Sequence, residues 1–417
     1  MLIHRTILLI GFMAWCGAGW LTAAEPPLVE KYLLEGKLEA GERELTAHLK
    51  THANDDTARF GLGALQFMRG IERLGQSLYK FGALPERRRI GMNVPLLRML
   101  VPKNPTPARI TYQDARQILQ QLIDDLKRAE QTLADVKDRD VKLPLHFASI
   151  VLDIDGNGVA AREETFWRIY AHLNGGLRLS PQFSEDDAKK FLIAFDFGDD
   201  LWLRGYCHLL SSIAETMLAY DTQAVFDIIA FQLFENPDVK SVDRTFLLQE
   251  GDNWGFDIAD AIAAIHMARF PLREAGRMQA AHRHMLEVIR LSRESWKSIQ
   301  QETDNDHEWV PNARQMGVIP GVRVTAEIID GWHDFLNEAE AMLLGKKLMP
   351  HWRVKRDHGI NMQKVFHEPR DFDLILWVHG MGTATFVQQG EVTKDETWQR
   401  FQQLFGGQFV GFAFWFN

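Results

Sequence analysis

Helical periodicity is the feature that most constrains how this chain can fold. The clearest case is TYQDARQILQQLIDDLKRAEQTLADV, residues 111–136, in which apolar side chains recur at helical spacing along one face. Thr111 followed by Asp114 is an N-cap signature that marks the start of this helix. Comparable patterns recur along most of the chain, so the sequence predicts a mainly α fold, a helical array or bundle.

Residues 25–82 predict two helices separated by the break THANDD. The small Gly41, then Leu45, then Ala58 after the break resemble the pattern of a tetratricopeptide (TPR-like) helix pair. The match covers about one repeat, and an ordinary helical hairpin is the alternative interpretation.

Residues 83–345 are expected to form a helical core domain, entered through a proline- and arginine-rich connection over 83–110. Gly345 is a natural C-cap for its last helix. Helices are predicted for SEDDAKKFLIAF with a cap at Ser184, for DLWLRGYCHLLSSIAETMLAY as the central helix, and for FDIADAIAAIHMARF, GRMQAAHRHMLEVIRLSRESWKSIQ and TAEIIDGWHDFLNEAEAMLLG.

Residues 346–417 have a different composition and predict a small C-terminal β-sheet, an α+β tail. DLILWV (373–378) and GQFVGFAFWFN (407–417) are rich in β-branched and aromatic residues, which favours strands. Between them, KDETWQRFQQLF is predicted to form a helix across the sheet.

The first residues read as an export signal. One arginine precedes an apolar run, and small residues follow it, so a signal peptide over 1–24 with cleavage after Ala24 is expected. A retained membrane anchor is the alternative, but the run is short for one. Bulky Trp15 before Cys16 argues against lipid attachment. The mature chain would be periplasmic or secreted, without an internal disulfide, and its remaining Cys207 is expected to be a buried small hydrophobe.

The formal net charge of -9 favours neither nucleic acid nor anionic lipid as a partner. The basic run at 87–89 is short and isolated. No stretch after the leader reaches transmembrane length, so the sequence predicts no membrane span in the mature chain.

The stretch DIDGNGVAAREE, residues 153–164, has the spacing of an EF-hand calcium loop. Gly158 stands at the sixth position, where the backbone must turn sharply, and Ala161 at the ninth leaves room for a water. Pro144 and β-branched residues precede the loop, which favours an irregular or extended entry over a helix. The predicted ligands of the Ca²⁺ ion are Asp153, Asp155, Asn157, Val159 through its carbonyl, and Glu164.

Two questions about this loop stay open on the sequence alone. The first is whether it binds calcium or is an acidic glycine turn that binds nothing. The second is whether the ion regulates or stabilises; the eighth position, which normally pairs with a sister loop, is Ala160. We favour a structural ion in an exported binding or scaffold protein with a possible protein partner.

Other acidic stretches provide weaker candidates. TDNDHEW places Asp304, Asp306 and Glu308 at alternate positions, which could be a second oxygen site or a solvated loop. Asp257 and Asp260 lie one helical turn apart, so they could be paired carboxylates or acids that suit a helix N-terminus.

FGDDLWLRGYCH places Asp200, Arg204 and His208 at steps of four on one helix face. They could line a polar cleft, or they could form an intrahelical ion pair. The alternative function is therefore a hydrolase, and it requires that Asp200 and His208 converge with Asp257 and Asp260 on one pocket.

Three stretches carry a resemblance: ARFGLGALQFMRGIERLGQSLYKFG, FDFGDDLWLRGYCHLLSSIAETMLAYD and GGQFVGFAFWFN. They resemble an uncharacterised family of exported bacterial proteins that carry one EF-hand-like loop, and the likeness extends over the mature chain. The resemblance implies an intact full-length unit. It brings no known activity and transfers no catalytic residue.

Overall fold

The structure is a computed structural model that describes residues 25–84, 101–159, 161–168, 185–239, 265–318 and 323–404, together with 259 and 262–263. Several predictions fall outside these residues. They concern the leader 1–24 with its cleavage after Ala24, the run 87–89, Ala160, the cap at Ser184, Asp257, Asp260 and the strand 407–417.

The described chain is mainly helical, as predicted. None of its helices combines the length and the apolarity needed to cross a bilayer. The helices are α1 Glu30–Leu34, α2 Leu38–Thr51, α3 Asp56–Lys80, α4 Tyr112–Leu133, α5 Glu185–Lys190, α6 Phe197–Ala219, α7 Gln223–Leu233, α8 Ala275–Ile299, α9 Ala326–Leu343, α10 Met362–His367, α11 Leu374–His379 and α12 Asp395–Leu404.

Short antiparallel ladders supplement the helices. The strands are β1 Lys142–Leu145, β2 Ile193–Asp196, β3 Arg269–Phe270, β4 His358–Ile360, β5 Phe372–Asp373 and β6 Val387–Gln389. β1 pairs with β2, β3 with β5, and β4 with β6. The last two ladders supply the small β content that was predicted near the C-terminus.

The central helix α6 packs against α4 on one side and against α8 on the other. It contributes to both large hydrophobic clusters: Cys207 belongs to the cluster built on α2, α3 and α4, and Ala219 to the cluster built on α8 and α9. Cys207 is free and buried, as predicted.

Two predicted helix boundaries are confirmed by their caps. The Thr111 hydroxyl accepts a hydrogen bond from the Asp114 amide at 3.0 Å, and the Asp114 carboxylate accepts one from the Thr111 amide at 2.9 Å. At the end of α9, Gly345 adopts φ +67° and the Lys346 amide donates back to the Ala341 carbonyl at 2.8 Å. This is the Schellman arrangement, which requires the left-handed conformation that glycine adopts most easily.

The N-terminal helix pair α2–α3 packs closely. A Cβ atom at Gly41 would lie 2.6 Å from Cδ1 of Leu65, so only a hydrogen fits between the helices here. Asp55 caps α3 by accepting a hydrogen bond from the Ala58 amide at 2.9 Å. This packing suits an ordinary hairpin as well as a tetratricopeptide pair, and the TPR-like interpretation stays a prediction.

The expectation of one helix over SEDDAKKFLIAF is wrong in its second half. Helix α5 ends at Lys190, and Ile193–Asp196 form strand β2. Phe195 of β2 stands opposite Leu143 of β1, so a partner fifty residues earlier in the chain determines its conformation. The same ladder gives the calcium-like loop the extended entry that was predicted for it.

The expectation of a strand over DLILWV is also wrong. The Asp373 carboxylate accepts a hydrogen bond from the Leu376 amide at 2.9 Å and so caps helix α11. Gly380 ends this helix with φ +98°. A capping acid and a C-terminal glycine seven residues apart therefore decide the conformation of a short apolar run. KDETWQRFQQLF forms α12, as predicted.

Candidate metal centre

The loop 153–164 begins and ends at one short antiparallel bridge. Val151 and Thr165 are the bridged pair, and the Phe166 amide donates to the Ile150 carbonyl at 2.7 Å. The two ends of the loop therefore lie side by side, which is the geometry that a loop needs to close around one ion.

Helix α3 supports the start of this loop. Gln76 donates from Nε2 to the Asp153 carbonyl at 2.8 Å, and the Glu72 carboxylate accepts a hydrogen bond from the Asp153 amide at 3.0 Å. Burial raises the pKa of Glu72 to about 7. The hydrogen bond from the Asp153 amide opposes this increase, and the negative charge of Asp153 adds to it. These contacts bridge residues far apart in sequence, and the loop motif by itself contains no signal for them.

The loop backbone turns at two glycines. Gly156 and Gly158 adopt φ +71° and +75°, and no atom lies within 4 Å of where a Cβ would stand at either position. Glycine is therefore favoured at these two positions by the positive φ angle and not by a lack of space for a side chain. Gly158 was predicted to turn the chain at the sixth position; Gly156 at the fourth was not singled out.

Three of the predicted ligands converge. Asp153, Asp155 and Glu164 each place a carboxylate oxygen within 4.8 Å of the other two. Oxygens bound to one Ca²⁺ at about 2.3–2.6 Å lie at most about 5 Å apart, so this spacing fits a shared ion. Oδ1 of Asp153 is buried and has no hydrogen-bond partner. An unpartnered buried carboxylate oxygen is available to bind a hard cation.

Glu164 at the twelfth position is held by the backbone of the loop that it closes. It is buried, with an exposed fraction of 3%, and Oε1 accepts hydrogen bonds from the amides of Ile154 and Asp155 at 2.8 and 3.2 Å. Burial raises the pKa of Glu164, those amides lower it, and the neighbouring Asp155 charge raises it. A divalent cation would offset both the cost of burying the Glu164 charge and its repulsion from Asp155.

The other two predicted ligands are placed differently. Asn157 donates from Nδ2 to Oδ2 of Asp155 at 2.7 Å, and its Oδ1 accepts a hydrogen bond from the Val159 amide at 2.7 Å. The Asn157 oxygen would have to turn to join the carboxylates. The Val159 side chain is 63% exposed, which leaves its main-chain carbonyl as the group that could bind an ion. Carboxylate, amide and carbonyl oxygens are a hard donor set that suits Ca²⁺ or Mg²⁺ rather than Zn²⁺.

A second acidic group only partly matches the TDNDHEW hypothesis. Glu308 is buried and lies with Asp196 and Glu302, whose oxygens are also within 4.8 Å of one another. Asp304 and Asp306 are not part of this group: Asp304 pairs with Lys142 at 3.0 Å, and Asp306 pairs with a neighbouring histidine. Sequence analysis missed Asp196 because it lies on a distant segment, whereas Glu302 directly precedes the TDNDHEW stretch and was not singled out.

This second group also contains a buried carboxylate oxygen without a hydrogen-bond partner, Oε1 of Glu302. Burial raises the pKa of Glu302 to about 8, and the charge of Asp196 adds to the shift. Glu302 therefore carries a proton at neutral pH, and the Lys142 ammonium lies 3.6 Å from Asp196. The loop is the stronger candidate because its backbone also has the geometry of a cation loop.

Only two of the four residues that the hydrolase alternative requires, Asp200 and His208, lie in the described chain, and Asp257 and Asp260 lie outside it. Asp200 is fully buried, and burial raises its pKa well above the usual range. Arg204 binds Glu130 at 3.1 Å instead, and Nδ1 of His208 lies 2.7 Å from Nδ1 of His284. Burial also raises the pKa of the Cys207 thiol, which removes its reactivity.

A crevice of 440 Å³ lies between α9 and α12 and is lined by Asp334, Glu338 and Arg400 among others. Neither Asp200 nor His208 borders it. This crevice therefore does not bring the residues of the hydrolase alternative together, and that alternative stays a prediction.

Comparisons with protein-family models, with curated proteins and with solved structures gave no significant match. The resemblance to an exported family with one EF-hand-like loop stays a prediction. The function argued below rests on the residues themselves.

Proposed function

We propose that this is an exported calcium-binding protein in which the ion is structural, and that it acts as a binding or scaffold protein in the periplasm or outside the cell. The observation that carries this proposal is the convergence of Asp153, Asp155 and Glu164 around a buried, unpartnered oxygen of Asp153. The left-handed glycines at 156 and 158 support the same interpretation.

A structural role follows from what the loop connects. It joins the segment after β1 to the segment that begins at Thr165, and it rests on α3 through Glu72 and Gln76. Without a cation, the carboxylates repel one another inside a partly buried loop. Ca²⁺ would remove that repulsion and stabilise the connection between α3 and the loop.

The magnitude of the stabilisation follows from mass action. Loops of this kind in extracellular proteins bind Ca²⁺ with a Kd of about 10⁻⁴–10⁻³ M. At 10 mM free Ca²⁺, binding to the folded state alone raises the free energy of unfolding by about 1.4–2.7 kcal/mol. A shift of this size is measurable as an increase in melting temperature.

The test is thermal unfolding of the purified protein in 10 mM CaCl₂ and in EGTA at matched ionic strength. We expect a higher melting temperature in Ca²⁺ for the wild type. Glu164→Gln should lose that increase, because it removes a ligand charge and keeps an oxygen for the Ile154 and Asp155 amides. Glu163→Gln is the matched control: it is adjacent and exposed, and it should keep the increase.

Two results would contradict the proposal. One is a wild-type protein whose melting temperature is the same in Ca²⁺ and EGTA. The other is a Glu164→Gln variant that keeps the full increase. If Glu302→Gln removes the increase and Glu164→Gln does not, the ion binds at the second acidic group instead.

A further inference from the structure

Large apolar side chains are exposed together in the C-terminal part of the chain. Trp352 is 71% exposed, Val378 61% and Met381 65%, and Ile375 and Leu376 beside them are also exposed. We call these five residues the Trp352 patch. Helix α11, which carries three of them, has no buried residue at all. Apolar patches of this kind usually mark interaction surfaces.

The fold holds the two halves of the Trp352 patch together. The Trp352 indole donates from Nε1 to the Val378 carbonyl at 3.0 Å. Its neighbour His351 bonds through Nε2 with the Trp377 carbonyl at 3.2 Å. A Cβ at Gly380 would lie 2.9 Å from the His351 ring, so the turn after α11 fits closely against this segment. The patch is therefore built by specific contacts.

Three cations follow Trp352 within four residues of the chain. Arg353, Lys355 and Arg356 are exposed, and no carboxylate in the described part of the chain forms an ion pair with them. The Arg353 guanidinium lies 4.4 Å from the centre of the Trp352 ring. Residues 346–381 contain seven Lys and Arg against four Asp and Glu, in a chain whose formal charge is -9.

Three of the four acids in this stretch have other partners. Asp373 pairs with Arg269 at 2.9 Å, Asp357 lies 2.8 Å from a ring nitrogen of His358, and Asp371 accepts a hydrogen bond from the Leu272 amide at 2.8 Å. Asp357 and Asp371 keep their charge, so the stretch is basic because its Lys and Arg outnumber its Asp and Glu. Charges farther away than about 8–10 Å are screened at physiological ionic strength, so the local charge decides what this surface attracts.

We propose that the Trp352 patch binds the surface of an anionic lipid bilayer. Trp352, Val378 and Met381 enter the boundary between headgroups and acyl chains, and Arg353, Lys355 and Arg356 contact lipid phosphates. Tryptophan and flanking basic side chains are enriched at that depth of a membrane. This proposal goes beyond calcium binding and does not depend on it.

The position of Arg353 favours a lipid surface over an apolar protein partner. A partner without an acidic group at this point would bury the guanidinium that stacks on the Trp352 ring without a counter-charge, which is strongly unfavourable. In the headgroup region the same guanidinium stays hydrated and close to phosphates while the ring is buried.

The test is co-sedimentation of the purified protein with vesicles of phosphatidylcholine alone and with 30% phosphatidylglycerol, both in EGTA. We expect binding to the anionic vesicles. Each basic residue near such a surface contributes about fivefold to the partition coefficient, so the triple variant R353Q/K355Q/R356Q should bind about 100-fold more weakly. Trp352→Ser and Met381→Ser should each weaken binding as well.

Matched controls separate this patch from general charge and hydrophobicity. K50Q/K127Q/K137Q removes three exposed lysines from the N-terminal half, and Met316→Ser removes an exposed methionine outside the patch. Both should bind like the wild type. Met381 makes no side-chain hydrogen bond, so its variant tests the proposal even if Trp352→Ser disturbs the local fold.

Three outcomes would overturn the proposal. The first is equal binding to neutral and anionic vesicles, and the second is an equal loss of vesicle binding in R353Q/K355Q/R356Q and in K50Q/K127Q/K137Q. The third is binding that occurs only with Ca²⁺, which would indicate that the ion bridges the lipid to the acidic surface of the protein. A patch that binds polyglutamate and not vesicles would identify a docking site for an acidic protein and would likewise exclude a lipid surface.

Discussion

The candidate loop depends on single residues whose backbone conformation few side chains can adopt. Gly156 and Gly158 turn the chain so that Asp153 and Asp155 point back toward Glu164. The Gly158 amide also donates to Oδ2 of Asp153 at 3.0 Å, which fixes the first carboxylate of the loop. A change at a glycine should therefore affect ion binding without altering any ligand.

We expect Gly158→Ala to lower the free energy of unfolding by about 1–2 kcal/mol and to weaken the response to Ca²⁺. The cause is the left-handed φ of +75°, which an alanine adopts at a cost. Gly276→Ala is the control, because it also has open space around its Cβ but lies in helix α8, where alanine is favoured. Urea unfolding in Ca²⁺ and in EGTA measures the free energy of unfolding and its response to Ca²⁺. Equal changes in Gly158→Ala and Gly276→Ala would contradict this account.

Sequence analysis could predict which carboxylates of this loop meet because they all lie within twelve consecutive residues. The spacing itself predicts which side chains can meet, and Asp153, Asp155 and Glu164 do meet. Glu72 and Gln76 could not be identified in this way, since their contact with the loop depends on how α3 packs. The same holds for Asp196, which meets Glu308 only in the folded chain, whereas Glu302 lies close to Glu308 in sequence and was not singled out.

At the scale of elements, the interface of α6 with α4 and α8 contains a polar cluster inside an apolar core. His208 of α6 lies between His284 of α8 and Glu130 of α4, with ring nitrogens of the two histidines 2.7 Å apart. Two imidazoles at that distance can share one proton, but both cannot be charged without repulsion. This interface should therefore be sensitive to acid.

We expect the protein to lose stability as the pH falls from 6.5 toward 4. Burial lowers the pKa of His284 to about 4, and the charges of His208 and Arg283 add to the shift, while Glu130 and Glu287 oppose it. In the unfolded chain His284 binds a proton near pH 6.5. Its contribution to the free energy of unfolding is therefore complete above pH 6.5 and is lost as the pH falls from 6.5 toward 4. Because His284 keeps part of its surface in water, we expect the free energy of unfolding to fall by about 1–2 kcal/mol over this range.

Denaturant unfolding at pH 7.5 and pH 5 measures this loss. His284→Gln should reduce the difference between the two pH values, and His266→Gln is the control, since His266 is an exposed histidine outside the interface. If His284→Gln shows the same pH dependence as the wild type, another group is responsible for the acid sensitivity.

Long helices were predictable, and short elements were not. Helices α3, α4, α8 and α9 each repeat an apolar stripe over several turns, so their type and approximate position follow from the sequence. The six residues of α11 are too few to show a period, and their apolar content suggested a strand. Strand β2 depends on β1, which no local pattern indicates.

At the scale of the whole molecule, α6 belongs to two hydrophobic clusters at once. Leu203 and Leu210 pack against the cluster of α2, α3 and α4, whereas Trp202 and Ala219 belong with the cluster of α8 and α9. Ser295 of α8 also donates a hydrogen bond to the Gly198 carbonyl of α6 at 2.8 Å. One helix therefore couples the two clusters.

This coupling predicts one cooperative unfolding transition. Leu126 is fully buried in the first cluster and Trp296 is 1% exposed in the second, so each alanine variant should lose about 2–5 kcal/mol of stability. Because α6 and its neighbours must separate for either cluster to unfold, both variants should lower the temperature of the same calorimetric transition. Two resolved transitions, with Leu126→Ala moving one and Trp296→Ala the other, would show instead that the clusters unfold independently and that α6 does not couple them.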